Sequence, residues 1–169
     1  MPDIISFDEA LQKANKKLEK DNKFWNKYTK DLLQAKNIRI SAILSQVAIQ
    51  WYVDRLLFYK FKSDILKDMR YERKIEFLKE LKIIDSKLFQ ELIIIYDIRN
   101  IYAHEVDVKE KRIEDLLNKI KKIDNSPVPR KYGNLEDIFL KFSQRFIRIL
   151  QRIYLDQYVQ EFEQTYVLK

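Results

Sequence analysis

A chain of 169 residues without a cysteine holds neither a disulfide nor a thiolate zinc site, and its single histidine leaves any metal site to carboxylates. One glycine and three prolines are too little turn material for a β-rich fold. The 33 Lys and Arg against 26 Asp and Glu give a net charge of +7, which favours an anionic partner.

The chain begins Met1-Pro2-Asp3, without a charged-then-apolar leader, so no secretory signal is expected. Its longest uncharged run, Ile40 to Val53, is 14 residues, short of the roughly 20 needed to span a bilayer. These features predict a soluble cytoplasmic protein with no membrane partner.

Helical periodicity dominates the chain. Ser6-Phe7-Asp8-Glu9 reads as a capping box opening an N-terminal helix over about 6–34. Phe7, Leu11, Ala14, Leu18, Trp25, Tyr28 and Leu32 form its apolar stripe. Asp21 interrupts it. Lys13, Lys16, Lys20, Lys23, Lys27 and Lys30 follow the same rhythm two positions on, Lys23 after the interrupting Asp21, about 200° around the helix. They read as a solvated face or as a track for a phosphate backbone.

A second helix is predicted from about Ile38 to Phe61. Its uncharged half, apolar nearly all round, is expected to be buried centrally or between subunits. A third is predicted from about Asp68 to Leu81. After the break at Ile84-Asp85-Ser86, Asp85 or Ser86 can cap a fourth helix carrying Leu88, Leu92, Ile95, Tyr96 and Arg99. Asp107-Val108-Lys109-Glu110 is a second capping-box pattern and predicts a fifth helix from there. The loop 125–133 holds the only glycine and two of the three prolines. It precedes a long C-terminal helix, about 134–168, with Leu135, Ile138, Phe142, Phe146, Ile149 and Ile153 as its seam. Lys141, Arg145, Arg148 and Arg152 stand one position earlier, about 100° away, and are expected to flank the packed face. There they border an interface or line a nucleic-acid groove. The whole predicts one all-α domain over 1–169, an up-down bundle of five to six helices with its core at about 36–124.

Chemistry concentrates in Arg99-Asn100-Ile101-Tyr102-Ala103-His104, which holds the only histidine. An arginine binds a phosphate through its planar fork of donors. A histidine exchanges protons near neutral pH. An amide orients either group or a substrate oxygen. These parts suffice to break a phosphodiester bond without a metal or other cofactor. On an unbroken helix Arg99 and His104 differ by about 140°, whereas Asn100 and His104 share a face. Convergence of Arg99 with His104 requires the helix to end near Tyr102, as the capping pattern at Asp107 suggests, or requires a second subunit. One histidine cannot be base and acid at once, which also argues for two chains per site. The structural alternatives are a histidine placed favourably at a helix C-terminus and an arginine paired with Asp97 or Glu105.

Arg-Asn-x-x-x-His, preceded by Leu92-Ile93-Ile94-Ile95-Tyr96 and Asp97-Ile98, resembles the signature of the HEPN superfamily. These are small all-helical domains, many of them metal-independent ribonucleases acting as toxins or antiviral effectors. Members similar to the mannitol operon repressor carry a comparable Arg-Asn-x-x-Ala-His string. The stretch Glu72 to Leu81 with Ile83-Ile84-Asp85 also resembles that subgroup, and the resemblance covers about Ile38 to Ile123. It implies a homodimer with the motifs facing across the interface, Arg99, Asn100 and His104 as catalytic residues, and RNA as substrate. It further implies a cognate antitoxin or regulatory protein. In toxins of this superfamily controlled by a nucleotidyltransferase, a tyrosine often stands two positions after the histidine. Val106 stands there in this chain, which argues against control by that route. A non-catalytic HEPN-like regulator, a basic nucleic-acid-binding protein and a dimerisation module are the alternatives.

Overall fold

The computed structural model describes residues 12, 16, 19, 20, 23, 37–63, 66, 68–105, 107–124 and 135–166, the side chains of 124 and 161–166 aside. The helices with described bounds make an all-α bundle: α1 (Ile38–Phe61), α2 (Tyr71–Glu80), α3 (Ser86–His104), α4 (Glu110–Asp124) and α5 (Leu135–Tyr166). No strand occurs among the described residues. None of the described helices is long and apolar enough to cross a membrane. The expected N-terminal stripe and the 125–133 loop lie outside the described residues.

Each boundary has a local cause. Asn37 caps α1, its Oδ1 accepting from the Arg39 amide at 2.9 Å. Lys62 stops α1 in the left-handed region (φ 52°), donating its N–H to the Phe58 carbonyl. At the end of α2, Lys82 (φ 56°) does what a glycine usually does. The Lys82 amide reaches the Lys79 carbonyl and the Ile83 amide reaches the Leu78 carbonyl, both at 2.9 Å, which closes a Schellman motif. Of the two capping candidates, Asp85 and not Ser86 caps α3, its Oδ1 accepting from the Leu88 amide at 2.7 Å.

Two expected starts move. α2 begins at Tyr71, not near Asp68, because Arg70 is extended (ψ 144°). α4 begins at Glu110, and its first turn closes from the Arg112 amide to the Lys109 carbonyl. Asp107 therefore lies three residues ahead of the helix and outside the cap position.

α1 is central and packs against α5, α3 and α2, while α4 lies on α3 and α5. Trp51, Tyr52 and Tyr59 of α1 meet Tyr154 of α5 with ring centroids 5.4–6.1 Å apart. Such aromatic contacts add roughly 0.5–1.5 kcal/mol each beyond burial. Lys74 of α2 is fully buried and reaches Asp54 of α1 at 2.8 Å.

The uncharged half of α1 departs from expectation. Ala42, Ala48, Ile49, Tyr52 and Val53 are buried, but Ile40, Ile43 and Val47 are 51, 39 and 44 % exposed. They stand three and four apart and form one apolar stripe.

The seam of α5 is displaced as well. Phe139, Phe142, Phe146, Leu150 and Tyr154 are buried, while Leu135, Ile138, Ile149 and Ile153 are half-buried. Tyr154, absent from the expected seam, carries the packing on α1. Lys141 stands nine residues before Leu150, about 180° around the helix. The exposed Lys141, Arg148 and Arg152 therefore oppose the packed face instead of flanking it.

Candidate active site

All six motif residues lie inside α3, which continues two residues beyond Tyr102 and ends at His104. Glu105 is the C-cap, its amide donating to the Ile101 carbonyl at 2.9 Å. The helix does not end early, so within one chain Arg99 and His104 keep their separation of about 140°. The expected convergence by an early helix end is not made.

Asn100 and His104 line one groove of about 590 Å³ between α3 and α4, with Asp97, Ile101, Glu105, Arg112, Asp115, Leu116 and Lys119. Arg99 is not among its lining residues. Helical spacing explains the set. Asp97, Asn100 and His104 are three and four apart on α3, and Arg112, Asp115 and Lys119 are three and four apart on α4. Arg112 Nη1 donates to Glu105 Oε1, which ties the start of α4 to the cap of α3. His104 itself is exposed.

Arg99 is half-buried. Its Nη1 donates to Asn100 Oδ1 at 2.9 Å, so the amide orients the guanidinium. Its Nε is buried without a hydrogen-bond partner among the described residues. An orphaned buried donor costs roughly 1–3 kcal/mol.

The buried Tyr102 anchors the motif to the core, and Arg39 of α1 donates to its carbonyl at 3.4 Å. α1 therefore meets the last turn of α3, and the exposed stripe beginning at Ile40 starts beside that contact.

Burial pushes the Tyr102 phenol up to about 12, helped by Glu110 and Glu136. The native state keeps a proton that the unfolded state loses near pH 10. Stability is expected to fall as pH rises from about 10 to about 12. Tyr102→Phe should reduce that loss in alkaline urea titrations, and an unchanged slope would contradict the burial of the hydroxyl. Partial desolvation first, and repulsion from Glu72 second, raise the Asp97 carboxyl above its ordinary value.

The expected binding residues are scattered. Lys16, Lys20 and Lys23 are helical and exposed, and Lys23 pairs with Glu19 at 3.0 Å. Lys13, Lys27 and Lys30 lie outside the described residues. Arg145 is half-buried, 3.7 Å from the buried Glu91 carboxylate, and differs from its three exposed neighbours in the series. None of these lines the groove beside His104.

Comparisons with protein-family models, curated proteins and solved structures find no match. The groove itself adds Asp97, Arg112, Asp115 and Lys119 to the residues singled out from sequence. Asp97 was legible as a same-face neighbour of His104. The α4 residues required knowing which helix packs on α3. Among the described residues no group of three or more His, Asp and Glu is placed to hold a metal ion.

Proposed function

We propose that this chain is a metal-independent endoribonuclease of HEPN type, a toxin or antiviral defence effector, with its site completed across a homodimer. The observation that carries the reading is the split of the motif. Asn100 and His104 line one groove, while Arg99 is absent from its lining and its Nε has no hydrogen-bond partner among the described residues. A second copy supplies what one chain separates, and the exposed Ile40, Ile43 and Val47 beside the end of α3 offer it an apolar surface.

In this reading the ribose 2′-hydroxyl attacks the adjacent phosphorus, the 5′-oxygen leaves, and a cyclic phosphate forms. His104 of one copy takes the 2′-proton, and its counterpart protonates the leaving oxygen. Arg99 neutralises charge developing on the phosphorane oxygens. Asn100 holds the guanidinium, as its 2.9 Å contact with Arg99 favours. No step calls for a metal.

A second reading has its own support. Asp97, Glu105 and Asp115 line the groove with only Arg112 and Lys119 as formal cations. A groove of that balance attracts a phosphate weakly. It suits a non-catalytic HEPN-like regulator or dimerisation module. The two readings part on one assay. Purified protein with end-labelled RNA in EDTA should release fragments ending in 2′,3′-cyclic phosphate and leave the 2′-deoxy counterpart whole. RNA left intact removes the enzyme and leaves the regulator.

A further inference from the structure

Lys119 lines the groove beside His104. That lysine also lines a second cleft of about 420 Å³ between α3 and α4, floored by Phe89, Ile93, Ile94 and Ile123 and edged by Lys122. A third amine, Lys79 of α2, sits 4.7 Å over the Phe89 ring. One face of the α3–α4 pair thus carries His104 at one end and, at the other, an apolar cleft with Lys119 and Lys122 in its lining. His104 and Ile93 are eleven residues apart on α3, about 16 Å along the axis. This is well beyond the reach of the nucleotide being cut.

We propose that this cleft is a base-binding subsite for single-stranded RNA, taking one unpaired nucleobase at a distance from the scissile phosphate. The proposal rests on the ribonuclease reading above. Two requirements of such a subsite are met together. A nucleobase is held by apolar side chains against its flat faces, and Ile93, Ile94 and Ile123 supply them. The phosphates flanking that base need cations, and Lys119 and Lys122 stand at the edge. Sharing Lys119 with the histidine groove gives the strand a continuous path. A base stacked within a duplex cannot enter, so the subsite selects loops and unpaired strands.

The test uses full-length protein and a short RNA with one cleavable linkage, all other riboses being 2′-O-methylated. A second version replaces the distal base with an abasic sugar. The parent should show a KM lower by about tenfold for the complete RNA, the size expected from taking roughly 50–60 Å² of apolar surface out of water. Ile93→Ala with Lys122→Glu should erase that difference and leave kcat unchanged. Lys122→Glu alone, at an exposed position, should lower the salt slope of binding by about one. It also serves if Ile93→Ala disturbs packing. Cleavage with the same abasic penalty in parent and variants would overturn the subsite and spare the nuclease. If no RNA is cut, binding of the fully 2′-O-methylated RNA separates the two ideas. Binding that depends on Ile93 and Lys122 keeps the subsite, and binding indifferent to them removes it. Preference of the cleft for an acidic amphipathic peptide of alternating Leu and Glu turns, with no RNA binding, would also overturn it.

Discussion

His104→Ala is expected to lower RNA cleavage by about a hundredfold or more, the usual loss for a general acid or base. His104 is exposed at the last turn of α3, so the variant should unfold at nearly the parent temperature. Arg99→Ala should be as damaging for a different reason, since it removes the charge that meets the phosphorane oxygens. Truncation also removes the hydrogen bond to Asn100 Oδ1, at a cost in stability of roughly 1–3 kcal/mol, so the fold is checked beside the activity. Arg99→Lys should not restore activity, because a point charge cannot replace the planar fork or keep the contact with Asn100 Oδ1. Cleavage rates on a labelled RNA, with melting curves beside them, check all three. A His104→Ala protein that cuts as fast as the parent would end the enzymatic reading.

The second large effect is expected at the exposed stripe of α1. Ile43 and Val47 are 39 and 44 % exposed, three residues and seven residues beyond Ile40. Ile43→Asp with Val47→Asp should leave the fold intact, since surface changes away from packing usually stay within about 0.5 kcal/mol. In an isologous dimer each new carboxylate is met by the same change in the partner. A weakening of association by about a hundredfold or more is expected, about 3 kcal/mol. Ultracentrifugation at micromolar concentration should find the parent dimeric and the double variant monomeric. Cleavage should fall together with the dimer. A parent that sediments as a monomer, or a monomeric variant that still cuts RNA, would remove the shared site.

What could be read from the chain, and what could not, follows a physical division. α3 was legible because its signals are local: Asp85 as a cap and Leu88, Leu92 and Ile95 at helical spacing. α1 was legible as a helix, but its uncharged half did not declare which side is covered. Ile43 and Ile49 have the same hydrophobicity, yet one is 39 % exposed and the other fully buried. Only the packing partners distinguish them. The end of α3 misled for a similar reason. The pattern at Asp107 pointed to an early end near Tyr102, whereas the backbone stays helical through His104 and turns at Glu105. In the groove, Asn100 and His104 were readable as one face of one helix. Arg112 and Lys119 were not, because they come from α4 and meet the motif only through the α3–α4 contact.

The central claim is that two copies of Arg99, Asn100 and His104 form one ribonuclease site. Mixing parent with His104→Ala at fixed total concentration, under conditions of subunit exchange, tests it most directly. A shared site needs both histidines, so mixed dimers are inactive and activity follows the square of the parent fraction. An equal mixture should then cut at about a quarter of the parent rate. A rate of half, linear in the parent fraction, would mean that each chain acts alone and would contradict the account.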